Sequence, residues 1–192
     1  MYRFLLPAAA LLFFPACDSG EPGDVNPEEL ITEVTLTLTP VGGGDALTIT
    51  AADADGDGRD IVYTPSSLTL EGGTVYDGTI TLRDGINDED ITEEIREEAE
   101  EHLFRYAFAP GDLGSVALTD VESDYENGNA TGDDLAVGLR FRATVAADAA
   151  GSGDLVATLY HFDDAPKPSS SATSDEIDVD LEVPVMIAPP TL

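Results

Sequence analysis

Residues 31–39 read ITEVTLTLT, and this stretch decides the fold. Val34, Leu36 and Leu38 fall on one side and Thr35, Thr37 and Thr39 on the other, the period-two pattern of a strand with one buried face. Pro40 and Gly42-Gly43-Gly44 then turn the chain, and residues 46–51 read as the returning arm of a hairpin.

Outward from this hairpin, strand patterns recur at 60–64, 67–70, 74–83, 103–108, 115–120, 135–146, 154–162 and 176–187. Nearly all are bounded by Gly, Asp, Asn or Pro. Short strands so spaced, with almost no helix between them, predict an all-β chain: an immunoglobulin-like β-sandwich of about seven to nine strands. Within it, Gly151-Ser152-Gly153 reads as the turn of a long hairpin and 166–174 as a flexible internal loop. The last strand, 176–187, reads as an exposed sheet edge able to accept a partner strand.

One segment breaks the strand rhythm. Residues 86–108, INDEDITEEIREEAEEHLFRYAF, place Ile91, Ile95, Ala99 and Leu103 at helical spacing, which predicts one short acidic helix packed by a narrow stripe. Asp90 with Glu93 forms a capping box, and acids in the first turn suit the helix dipole. Glu100 and Glu101 at the far end do not, and His102 and Arg105 are what offsets them. Phe104, Tyr106 and Phe108 then alternate, so the helix hands over to a core strand.

The amino terminus carries a different signal. Arg3 precedes an apolar run, residues 4–14, that is too short for the roughly 20 residues of a membrane-spanning helix, and Pro15-Ala16 leads into Cys17. Residues 1–16 read as a secretory signal of lipoprotein type. Cys17 is the chain's single cysteine, so it has no internal disulfide partner, and its place at the hydrophobic boundary marks it for lipidation with palmitate or a related acyl chain. Residues 17–27, rich in Asp, Ser, Gly, Glu and Pro, read as the lipidated cysteine and a flexible tether. A single domain over 28–188 and a tail over 189–192 complete the expected organisation.

Charge narrows the partners. The 192 residues hold 39 Asp and Glu against 8 Lys and Arg, a formal net charge of −31, and Lys167 is the only lysine. Nucleic acid is thereby excluded as a partner, and anionic headgroups are poor ones for the body of the protein, since both need basic patches. Two explanations fit the imbalance: halophilic adaptation, in which salt screens the repulsion, or an acidic surface loaded with calcium. The spread of the acids along the whole chain favours salt.

Four aspartates merit a closer look. Asp53, Asp55 and Asp57, followed by Gly58 and Asp60, repeat the first half of a calcium loop, where alternating carboxylates converge on a hard cation. The twelfth place, which an EF-hand gives to a bidentate Glu, holds Thr64, so a loop site would draw on Asp60 and backbone carbonyls; a solvated acidic turn explains the same residues. His102 and His161, the only histidines, have no Cys or second His at ligand spacing and read as strand or helix-end residues. No nucleophile elbow, phosphate loop or dinucleotide glycine pattern is present, and among 39 acids no carboxylate pair is informative, so no catalytic residue is assigned. Asn129-Ala130-Thr131 is a sequon in a turn-rich loop that explains it without glycosylation.

Several of these segments together carry a resemblance. Glu28-Glu29-Leu30-Ile31-Thr32, Asp55-Gly56-Asp57-Gly58, Tyr76-Asp77-Gly78-Thr79-Ile80, the acidic run from Asp90 to His102 and a late strand ending in His161 resemble a family of short secreted bacterial lipoproteins of unassigned function. That family is sometimes labelled type 1 periplasmic-binding-fold. The label implies a ligand-binding protein of two α/β domains, whereas one helix among many strands predicts otherwise. Members tend to carry Glu-Pro-Asn-Lys after the late histidine, where this chain has Phe162-Asp163-Asp164-Ala165-Pro166-Lys167.

The expectation is a cell-envelope lipoprotein, anchored to a membrane through Cys17 and facing periplasm or cell surface. It would act as a non-enzymatic binding or scaffold module toward another envelope protein. The alternative is a calcium- or small-ligand-binding protein using Asp53 to Asp60.

Overall fold

The alternating stretch forms β1 (Glu33–Pro40) at the centre of a sheet, between β2 (Leu47–Ala52) and β5 (Val75–Arg83), both antiparallel to it. Leu36 stands opposite Ile49 on one side and Ile80 on the other, and all three are buried. On the outer face Thr35 Oγ1 meets Thr50 Oγ1 at 3.0 Å and Thr37 Oγ1 meets Thr48 Oγ1 at 3.3 Å. Apolar rows inward and threonine pairs outward are what the alternation dictates.

This computed structural model describes residues 30–56, 58–125, 133–162 and 165–190. Its remaining elements are β3 (Val62–Thr64), β4 (Leu68–Glu71), α1 (Ile91–Glu97), β6 (His102–Ala109), β7 (Gly114–Leu118), β8 (Arg140–Val145), β9 (Gly151–His161) and β10 (Glu176–Ala188). Six strands in the order β3-β2-β1-β5-β8-β7 face four in the order β4-β10-β9-β6. The fold is the all-β sandwich that the period-two pattern predicts, with ten strands among the described residues, one for each strand pattern in the sequence and one more than the seven to nine expected of the sandwich. Phe104, Phe141, Leu155, Leu159, Val183 and Val185 are among the buried side chains that fill the space between the sheets.

The acidic helix is α1, whose apolar stripe joins the core beside β5. Asp90 caps it, its carboxylate accepting from the Thr92 N–H at 3.1 Å. Thr92 Oγ1 donates to the Leu82 carbonyl at 3.0 Å and accepts from the Leu82 N–H at 2.8 Å, so a buried hydroxyl stitches the first turn to β5. Ile91 and Ile95 are buried beneath it, and Ala99 extends the stripe past the helix end into the turn before β6.

Four local expectations are corrected. The strand expected over 135–146 begins at Arg140, because Gly138 takes φ +93° and gives its N–H to the Asp120 carboxylate at 2.9 Å, bending the backbone out of line. Gly151 to Gly153 do not turn a hairpin: they lie inside β9, paired with Ile187 to Val185 of β10, while β8 and β9 belong to opposite sheets. The loop over 166–174 is pinned, since Lys167 is buried, its N–H donating to the Glu100 carbonyl at 2.9 Å and its ammonium pairing with Glu122. Finally, β10 is an edge over only part of its length: β9 pairs antiparallel along it, and β4 covers its other side in parallel from Val185 to Ala188, while among the described residues no strand pairs with that side of Glu176 to Pro184.

Candidate functional site

Three neighbouring strands of the smaller sheet terminate on one side of the molecule. His102 opens β6, His161 closes β9, and the two are register partners, with Glu176 of β10 opposite His161 on its other flank. The imidazoles stack, centroids 4.3 Å apart and planes 26° from parallel. His102 is fully buried and His161 nearly so.

The third member comes from an irregularity. Between Ile177 and Val179 the register of β10 against β9 slips, which makes Asp178 the inserted residue. A bulge of this kind re-aims a side chain. Here it turns the Asp178 carboxylate, 8% exposed, toward the histidines: Oδ2 is 3.9 Å from His102 Nε2 and Oδ1 is 3.7 Å from His161 Nδ1. On the helix side, His102 Nδ1 lies 3.2 Å from the carbonyl oxygen of Glu98, the residue that caps α1. Glu98, His102 and His161 each offer a ligand atom within 4.8 Å of the others'. Beside them, burial pushes the Glu101 carboxyl above its ordinary range, and the charges of Glu98 and Glu100 push it further.

Asp178 also faces a cleft of about 240 Å³ at the same end of the sandwich. Its walls are Ile31, Val34 and Ala51 of one sheet's side and Ile177, Val179 and Leu181 of the other, with Ile61 between; Glu33, Asp53, Asp178 and Asp180 supply acid. Ile177, 48% exposed, stands at the rim.

The aspartate loop closes one side of this cleft. Asp53 is buried, its carboxylate accepting from the Gly56 N–H at 3.2 Å and the Gly58 N–H at 2.7 Å. Burial works to raise this carboxyl, but the Gly58 and neighbouring amides outweigh it and hold it below its ordinary value. Asp55 and Asp60 face outward, Asp60 with φ +51°. Asp57 lies outside the described residues, as do Cys17, the tether and Asn129. The loop therefore folds around Asp53 through its own backbone amides.

Comparison with known protein families, characterised proteins and solved structures found no match for this chain. Among the described residues, no helix is long and apolar enough to cross a membrane.

The histidine cluster was invisible to motif reading because its ligand atoms are assembled by strand register across 59 residues of sequence. The available signal was positional: each histidine flanks or ends a predicted strand.

Proposed function

We propose that this chain is a non-enzymatic binding module of a bacterial cell envelope, held at a membrane by lipid on Cys17 and engaging another envelope protein through the cleft beside Ile177. The observation that carries this reading is the cleft, about 240 Å³, apolar in its walls and acidic at its margin. Small-molecule sites commonly run to about 300–1,000 Å³. A smaller cleft suits one anchoring side chain of a protein partner better than a whole ligand. Among the described residues its lining carries no lysine or arginine, and the chain's formal net charge is −31. The favoured occupant is an apolar side chain next to a Lys or Arg of the partner. The envelope address rests on the leader, Cys17 and the sequence resemblance.

A second reading, a small-ligand protein, draws on the Asp53 loop as part of the same cleft. Calcium gains less from it, because Asp53 already accepts two backbone N–H groups.

The test is photo-crosslinking in the native envelope at native salt, with benzoylphenylalanine at Ile177 in one protein and at Met186, 46% exposed on the same strand, in another. The expected result is one recurrent protein from position 177 alone, attached through a segment pairing an apolar side chain with a basic one, and lost in Cys17→Ala. Equal capture from both positions, or none from 177, overturns the reading.

A further inference from the structure

We infer that Glu98, His102 and His161, with Asp178 beside them, form a binding site for a divalent first-row transition metal such as Zn²⁺, independent of the protein contact proposed above. The donor set selects the ion: two imidazoles with carboxylate oxygen suit zinc, iron, nickel or copper, whereas calcium and magnesium take oxygen ligands.

Geometry supports the assignment at three points. First, ligand atoms from the three residues already lie within 4.8 Å of one another. Bonds of about 2.0–2.1 Å at a tetrahedral ion separate ligands by about 3.3 Å. Binding would draw the ligands together by rotation of Glu98, which is part-exposed, and by shifts of the two buried rings. Second, His102 Nδ1 stands 3.2 Å from the Glu98 carbonyl, which assigns the ligand role to the other nitrogen, Nε2, 3.9 Å from Asp178 Oδ2. Metal-binding histidines are typically oriented this way, through the ring nitrogen the metal does not use.

Third, carboxylates gather here. Glu98 and Asp178 both stand at the rings, and Asp178 faces a nitrogen of each at 3.9 and 3.7 Å. A divalent ion would offset these carboxylates, which favours keeping them in an interior where their hydration is lost. The bulge at Asp178 has a purpose on this account: it brings the carboxylate to the rings, and its place on the cleft gives the ion a route in. The elements joined are the end of α1 and strands β6, β9 and β10, so a bound ion would clamp the margin of the smaller sheet.

The experiment titrates the purified full chain with Co²⁺ and then Zn²⁺, in about 1 M NaCl with excess Ca²⁺ so that the acidic surface is saturated and screened. The expected result is one Co²⁺ per chain with visible bands of nitrogen ligation, displaced by Zn²⁺ and not by Ca²⁺, and a thermal midpoint that rises with Zn²⁺. Glu98→Gln and Asp178→Asn should each weaken Zn²⁺ binding by about 10-fold or more, and His161→Asn further. Glu98 is part-exposed, so Glu98→Gln keeps the test decisive where a histidine variant fails to fold. Cobalt without nitrogen bands, displacement by Ca²⁺, or unchanged Zn²⁺ affinity in Glu98→Gln overturns the assignment.

Discussion

The Lys167 ammonium nitrogen lies 2.7 Å from Glu122 Oε1, with the two side chains 0% and 1% exposed. The chain's single lysine is thus spent inside the protein, on a carboxylate at the start of a short 3₁₀ turn. A second contact, from the ammonium to the Ala99 carbonyl, ties the same loop to the end of α1. Removing one partner leaves the other charge buried and uncompensated. Lys167→Met should therefore cost about 3–5 kcal/mol, while Lys167→Met with Glu122→Leu recovers most of that loss. Denaturant unfolding of the single and double variants at fixed salt measures both values.

Asp84 gives a pH dependence with a defined sign. Burial works to raise its carboxyl, but bonds from the Asn87 amide, the Asn87 side chain and the Ile86 amide outweigh it and hold it below its ordinary 3.8. A depressed folded-state value stabilises above the unfolded value and loses that contribution as pH falls through 3.8 toward the folded one. The gap in thermal midpoint between the parent and Asp84→Asn should be full at neutral pH and narrow below about pH 4. A gap that stays constant into stronger acid contradicts this account. Measurement in about 1 M salt keeps the titration of the other surface acids from dominating.

Gly78 lies in β5 opposite Phe141 of β8, and the phenyl ring folds over it: a Cβ there would meet ring atoms at 2.3 to 2.7 Å. Gly78→Ala should destabilise by about 1–3 kcal/mol through displacement of that ring. Gly42, where a Cβ meets nothing within 4 Å, is the control, with Gly42→Ala expected within about 0.5 kcal/mol of the parent. Urea midpoints for the pair distinguish crowding from a general glycine effect.

Salt and calcium make different demands on a chain with a formal net charge of −31. Raising NaCl from about 0.1 M to about 1 M contracts the Debye length from about 10 Å to about 3 Å and should raise the thermal midpoint steeply. CaCl₂ at equal ionic strength should add little beyond screening. A flat response to NaCl removes the halophilic reading, and a large calcium-specific gain returns attention to Asp53, Asp55 and Asp60.

Strands were legible in this sequence wherever one face had to be dry. The alternation around Leu36 and Leu38 reports burial directly, and the Asp90 cap reports the helix start. Features that depend on which strands lie side by side were not legible. Gly153 looks like turn chemistry, yet a Cβ there would meet Leu113 at 2.4 Å and the Ala109 carbonyl at 2.5 Å, so close packing accounts for it. Strand 176–187 read as an edge, while its pairing with β4 begins at Val185, one residue after Pro184. In the candidate site, the acids of the Asp53 loop were conspicuous and the histidines were not. Asp178 carried no sequence signal, because a bulge is a mismatch between two strands and belongs to neither alone.

The parallel pairing of Leu68 with Val185 has a consequence for how the molecule comes into being. β10 occupies the place between β4 and β9, so the smaller sheet has no continuous ladder until the final strand has been delivered. Closing contacts across so long an intervening segment is slow, and the penalty falls on the folding rate more than on the finished stability. A chain emerging amino end first would hold β4 without its parallel partner while more than a hundred residues pass. The smaller sheet is complete only once β10 arrives, whereas the six-stranded sheet can pair without it.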